Sequence, residues 1–140
     1  MRQYKFRAWD KNNNRFISDG FSVDMIGLYL TDARDKIYRV GEDVELMQFT
    51  GKQDLSGVEI YENDLIKATR ANSSLGGFND IYKVVYNETQ ACFCLECVKS
   101  DNSYRVGQIA LTSSNNRPYL IDSKISKVIG NIYENPELLP

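Results

Sequence analysis

Ile81-Tyr-Lys-Val-Val-Tyr86 and Ala91-Cys-Phe-Cys-Leu-Glu-Cys-Val98 are two apolar runs of strand length, joined by the polar stretch Asn87-Glu-Thr-Gln90. Runs of this length, rich in Val, Tyr and Phe and bounded by turn residues, read as β-strands. The pattern repeats on both sides. Val58 to Tyr61 and Leu65 to Thr69 flank the short bend Glu62-Asn-Asp64, and Tyr104 to Leu111 and Ile125 to Tyr133 follow. These segments, 58–69, 81–86, 91–98, 104–111 and 125–133, supply the strands of a small barrel, and short antiparallel strands that close on themselves remove exposed edges. Between them lie two loops. Ala71 to Asp80 is rich in Gly, Ser and Asn around Gly76-Gly77 and is expected to be mobile; Thr112 to Pro118 is the second. Asn135-Pro136-Glu137 reads as one helical turn with Asn as its cap.

The N-terminal third reads as a second β lobe. Tyr4 to Trp9 alternates, Asp10-Lys-Asn-Asn-Asn14 is a polar turn, and Arg15 to Ser18 returns, which makes a hairpin. Residues 20–40 fit two periods. Ile26, Leu28 and Leu30 alternate as in a strand, whereas Val23, Ile26, Leu30 and Ile37 share a helix face. Gly27 weakens a helix and favours the strand reading. A turn over Thr31 to Lys36 and a strand at Ile37 to Val40 follow from it. Val44 to Thr50 is a further strand, and Asp54-Leu-Ser-Gly57 a turn. The expected organisation is a lobe over 1–50 and a barrel domain over 51–140.

Composition narrows the function classes. The chain has 140 residues, with 17 Lys and Arg against 19 Asp and Glu, and its net charge of −2 disfavours broad binding to phosphate backbones. Three cysteines and no histidine fit a reducing, cytoplasmic setting. No apolar stretch follows the charges of the N-terminus, and none approaches the ~20 residues of a membrane span. No Walker loop, nucleophile elbow or dinucleotide fingerprint is present. The commonest general base is also missing. The reading is therefore no enzyme, no cofactor and no small-molecule substrate.

Three constellations remain. Cys92-x-Cys94-x-x-Cys97 matches a redox spacing at its second pair, but such a dithiol opens a helix. Here the three lie in a strand that sends Cys92 and Cys94 to one face and Cys97 to the other. Core packing is the favoured role over metal binding. Asp54, Glu59, Glu62 and Asp64 read as turn and rim residues; as a cation site their spacing fits no EF-hand. Lys5, Arg7 and Trp9 form a basic and aromatic stripe on one strand face. It suits intramolecular packing, a protein interface or stacking on single-stranded nucleic acid, in that order.

Charge is uneven along the chain. Residues 1–18 carry Arg2, Lys5, Arg7, Lys11 and Arg15 against Asp10, whereas residues 42–64 carry seven acids against Lys52. These segments read either as two solvated surfaces or as surfaces that face one another, within one chain or between subunits. The candidate interaction surface is Lys5, Arg7 and Trp9 with Glu59, Tyr61 and Glu62. The tetrapeptide Ile-Tyr-Glu-Asn occurs twice, at 60–63 and 132–135, as one strand-ending solution used again.

Three blocks carry a family resemblance: Lys5-Phe-Arg-Ala-Trp-Asp10; Leu46-Met-Gln-Phe-Thr-Gly51 running through Asp54 and Gly57 to Glu59-Ile-Tyr-Glu-Asn-Asp-Leu-Ile-Lys67; and Val128-Ile-Gly-Asn-Ile-Tyr-Glu-Asn-Pro-Glu-Leu-Leu139. In order and spacing they resemble the YopX family of small phage and prophage proteins. The resemblance implies a mainly β fold with an SH3-like or OB-like barrel in the C-terminal half, and a phage-related role without catalytic residues. The expected function is a non-enzymatic binding protein acting through protein–protein contacts or self-association. The alternative is a nucleic-acid-binding accessory protein.

Overall fold

The structure, a computed structural model, describes residues 3–68, 80–110 and 126–140. The expected loop at 112–118, and all of the 70–80 loop except Asp80, lie outside the described residues. The fold is all-β, with curled antiparallel sheets that form a half-barrel. Contacts divide it into two compact units, Tyr4–Gln48 and Phe49–Pro140, the latter together with Met1–Gln3.

In the first unit β1 (Phe6–Asp10) and β2 (Arg15–Phe16) form the expected hairpin. Its turn is built on Asp10, which is fully buried. One Asp10 oxygen accepts the amides of Asn12 and Asn13 at 3.1 and 3.2 Å, and the other accepts the Asn13 side-chain amide at 2.7 Å. Asn14 then takes the left-handed conformation (φ 49°) that closes the turn. β3 (Phe21–Val23), β4 (Tyr29–Asp32) and β5 (Ile37–Arg39) make a three-stranded antiparallel sheet; the strand at Ile37 is as expected, whereas Ile26 and Leu28, expected in a strand, lie in the β3–β4 turn, and β4 runs on to Asp32 where a turn was expected. The first half of β6 (Val44–Gln53) pairs with β1 from Phe6↔Gln48 to Asp10↔Val44. Ala8, Leu30, Tyr38 and Val44 are the buried centre of this unit, with Phe21, Val23 and Leu46 packed around them.

In the second unit the remainder of β6 pairs with β7 (Glu59–Tyr61). β8 (Asp64–Ala68), β9 (Ile81–Asn87), β10 (Cys92–Lys99) and β11 (Ser126–Asn131) follow, and the sheet order is β10-β9-β8-β11. The β9–β10 register runs from Cys92↔Asn87 to Cys97↔Tyr82, and Ala91 turns the chain with φ 50°. Ile60, Ile66, Tyr82, Val84, Leu95 and Cys97 are the core, joined by Phe93, Ala110 and Val128.

Two local expectations are corrected. The strand expected over 104–111 is instead a 3-10 turn, Ser103–Arg105, followed by an isolated bridge between Glu96 and Ile109. Asn102 accepts the Tyr104 amide and starts the turn, and Gly107 at φ 80° bends the chain before Ile109 reaches β10. Near the C-terminus the helical turn is present as Pro136–Leu138, with Pro at its start, but the Asn135 side chain does not cap it. That side chain accepts the Asn131 amide at 3.3 Å and donates to Glu137 at 3.2 Å instead. Among the described residues no helix is long and apolar enough to cross a membrane.

Candidate functional site

The stripe on β1 and the acids after β6 each have a definite local role. Trp9 is 5% exposed, sits opposite Phe16 in the hairpin and meets its ring edge-on at 5.0 Å. Arg7 lies over the same Phe16 ring at 5.0 Å, and Lys5 is exposed. The stripe is thus largely consumed by packing on Phe16: a strand only two residues long needs cross-strand aromatic area to hold it. In the second unit Tyr61 is half-buried against Phe49 at 5.4 Å and donates its hydroxyl to Glu59 at 2.8 Å, while Glu62 is half-buried in the turn that follows.

The acidic residues mostly hold turns. Asp54 accepts the amides of Ser56 and Val58 on one oxygen at 2.7 and 2.9 Å, and that of Val128 on the other at 3.0 Å. Asp64 accepts the Tyr61 amide at 2.7 Å. Burial pushes the Asp54 carboxyl up, but the amide donors of Val58, Val128 and Ser56 outweigh it and hold the group below its ordinary value. Asp43 is held down to about 2, first by the Arg39 side chain and then by the Arg39 amide. Inside the first unit the basic and acidic segments lie side by side as β1 and the first half of β6, and Lys11 pairs with Glu45 at 2.9 Å across them.

The cysteines follow the strand's alternation. Phe93, Leu95 and Cys97 all pack on the core, and Cys94 points to the other face, where it too is fully buried. All three thiols are free. Burial, with Cys92 and Glu96 nearby, pushes the Cys94 thiol up to about 11; burial and then Asp80 raise that of Cys97. Among the described residues no group of three His, Cys, Asp or Glu is placed to hold a metal ion.

Two surfaces went unnoticed in the sequence. The first is the outer face of the β3–β5 sheet. Leu30 and Tyr38 are cross-strand partners and point into the core, so Tyr29 and Ile37 point outward, 48% and 65% exposed. The β3–β4 turn adds Met25, Ile26 and Leu28 at 104%, 73% and 54%. That turn is held by Asp24, whose side chain accepts the amides of Leu28 and Tyr29 at 2.8 and 3.2 Å. The second is a groove of ≈ 260 Å³ floored by Tyr82, Cys97 and Ala110 and rimmed by Tyr104, Arg105 and Gln108.

The family model described as YopX protein matches residues 5–140. The chain belongs to the YopX family. Membership suggests a phage-related protein. Among solved structures, the crystal structure of protein EF1440 from Enterococcus faecalis has a similar fold. Its TM-score is 0.56 at 22% identity, and the match covers 99% of each chain. No curated protein matches. The blocks that carry the YopX resemblance occupy β1, the β6-to-β8 segment, and β11 with the C-terminal turn. In the second unit the last two are joined directly: Asp64 pairs with Asn131, and the Ile132 amide donates to the Asn63 carbonyl at 3.1 Å. The two Ile-Tyr-Glu-Asn copies of this YopX chain are therefore neighbours in space.

Proposed function

We propose that this YopX protein is a phage-related, non-enzymatic binding protein that works through protein–protein contacts, and that its contact is a second copy of itself. The observation that carries the reading is the outer face of β4 and β5. Met25, Ile26, Leu28, Tyr29 and Ile37 present on the order of several hundred Å² of apolar surface there, the range in which such patches mark interaction sites. Charge supports the same reading. Beside the face Arg34 pairs with Asp19 at 3.3 Å, Arg39 with Asp43 at 3.0 Å, and Lys36 lies over the Tyr38 ring at 4.5 Å, so two of these three cations are already offset by acids and the face offers little to a phosphate backbone. A net charge of −2 leaves two copies with weak mutual repulsion. A two-fold arrangement would use the same apolar set twice.

Light scattering tests it. The native chain is expected to give an assembly larger than the 16.0 kDa monomer at micromolar concentration. Ile37→Glu is expected to return it to a monomer with an unchanged circular dichroism spectrum, because Ile37 is exposed. A monomer at all concentrations, or an assembly that Ile37→Glu leaves intact, sinks the proposal.

A further inference from the structure

The two edges of the β3–β5 sheet are treated differently by their own chain. Along β5 the Arg39 amide donates to the Asp43 carboxylate at 2.8 Å, and the Arg39 carbonyl accepts the Asp43 amide at 2.9 Å. A bridge from Val40 to Val44 continues that cover. Along β3 there is no such cover among the described residues. Opposed residues of an antiparallel ladder alternate between bonded and non-bonded pairs. The Asp24 amide donates to the Tyr29 carbonyl at 3.0 Å, so Ser22 and Thr31, two positions further along, are the next bonded pair. Phe21 and Val23 therefore turn their N–H and C=O groups away from β4, and among the described residues these four groups have no partner. Phe21-Ser-Val23 holds no charge, no proline and no bulge, the usual guards of an edge. Its one guard is length, limited by Gly20 at φ 82° before it and the Asp24 turn after it.

We propose that this edge is a second self-association site, where β3 of one copy pairs antiparallel with β3 of another about a two-fold axis at Ser22. The inference rests on the self-association reading above and adds a contact to it. In this register Phe21 of each copy faces Val23 of the other, and all four outward groups of each strand bond. The register that satisfies them is symmetric, which marks a copy of this chain, rather than an unrelated peptide, as the occupant. Each half-buried Phe21 ring meets a half-buried Val23 on the inner face, a favourable cross-strand pair. On the outer face the two Ser22 side chains meet in a non-bonded pair, with Cα atoms about 4.5 Å apart. Ser22 is small and exposed, so nothing obstructs that approach. The acids at the strand ends do not collide: Asp24 falls opposite Gly20 and Asp19 opposite Met25, and Asp19 already holds Arg34 at 3.3 Å. Moving the axis to Phe21 or Val23 calls on Asp19 or Met25, which lie outside the strand.

The symmetry says how the edge works with the apolar face. An axis between antiparallel neighbours stands perpendicular to the sheet and keeps both outer faces on one side. Two copies joined through those faces, about an axis along the hydrogen-bonding direction, carry both β3 edges on the same side. Two such pairs then close as a tetramer through two edge contacts. The second edge contact forms within the assembly, at high effective concentration. A single edge contact, four bonds on three residues, does not offset the freedom lost on association, so the edge needs the face.

Sedimentation velocity on the full chain, from micromolar to sub-millimolar concentration, tests this. The native chain is expected to reach the mass of four 16.0 kDa chains. Ser22→Glu and Ser22→Lys each set like charges at the axis and should stop at the mass of two. Both should keep the native circular dichroism spectrum, because Ser22 is exposed. An equimolar mixture of the two variants should regain the four-chain mass, since every edge contact then joins a carboxylate to an ammonium. Val23→Pro removes an outward N–H and no β3–β4 bond, and should also stop at two. A native chain that stops at two and falls to one with Ile37→Glu overturns the edge contact and leaves the face reading standing. An assembly that Ser22→Glu dissolves and Ile37→Glu leaves intact supports the edge and sinks the face reading. A four-chain mass unchanged in Ser22→Glu, or a mixture that stays at two, overturns the edge contact; a native monomer overturns both.

Discussion

Asp54 offers the sharpest test of how the second unit is held together. Its carboxylate, 5% exposed, closes the 54–57 turn through Ser56 and Val58 and ties that turn to β11 through Val128. Asp54→Ala removes all three bonds. Ser56 and Val58 are exposed, so their amides regain water and each loss costs about 0.5 kcal/mol. Val128 is half-buried within β11, and its stranded amide costs about 1–3 kcal/mol. The expected destabilisation is about 2–4 kcal/mol, which lowers the melting temperature by roughly 8–16 °C for a domain of this size. Asp54→Asn is informative beside it. One asparagine oxygen can still serve Ser56 and Val58, but its amino group then faces the Val128 N–H, donor against donor. Asn should therefore recover only the smaller part of the loss. Urea denaturation followed by circular dichroism measures both variants. The pH dependence adds a sign. The folded carboxyl sits below its ordinary value of 3.8, so its stabilisation is complete above that value and is lost as pH falls through the folded pKa. The gap between the native chain and Asp54→Asn should narrow below that point. Full stability of Asp54→Asn at neutral pH, or a gap that widens in acid, would refute the reasoning.

Gly130 has φ 153°, and a Cβ there would come within 2.1 Å of the Asn135 side-chain oxygen. Gly130→Ala is expected to cost about 2–4 kcal/mol in chemical denaturation. Part of that loss should disappear when Asn135→Gly removes the clash; equal losses in both backgrounds would place the whole cost in the backbone. For the thiols, titration of the native chain with a disulfide reagent at pH 8 should show Cys92 reacting first, because Cys94 and Cys97 are buried and protonated. All three should react in urea, and rapid native reaction of all three would contradict the burial.

The strands of the half-barrel were legible because their residues are sorted by face. Along β10, Phe93, Leu95 and Cys97 alternate into the core, and the parity that separates Cys97 from Cys92 and Cys94 could be read directly. The 104–111 segment was misread because Tyr104, Val106 and Ile109 supply apolar letters at strand density. Tyr104 and Val106 are exposed, and the decisive signals were the Asn102 cap and Gly107. The groove could not be found from spacing. Asp80, Tyr82, Cys97 and Arg105 come from three elements, and only the β9–β10 register with the folding back of 107–110 brings them together. Ile26 and Leu28 misled in the opposite sense. Ile26 fitted both the strand and the helix period and Leu28 the strand period, yet both sit in a turn, so neither period described their exposure.

The duplicated Ile-Tyr-Glu-Asn shows why four identical letters do not specify one structure. In the first copy Ile60 is fully buried, and Asn63 adopts φ 64°, so asparagine turns the chain as expected. In the second, Ile132 is half-buried and Asn135 has φ −127°; its backbone makes no left-handed turn. The residue before that copy does the turning work: Asn131 is 5% exposed and accepts the amides of Tyr133 and Glu134, each at 3.0 Å. Its counterpart in the first copy is Asp64, which follows the tetrapeptide and accepts the Tyr61 amide from the other end. The two turns are thus closed from opposite sides of the same sequence. Asp64 and Asn131 are cross-strand partners, which places both closing side chains at one end of the β8–β11 ladder. Exchanging Asp64 and Asn131 should leave each residue able to accept its amides. It would still remove the Asn131 bond to Glu134, 2.7 Å long, and set a carboxylate against a carboxylate there.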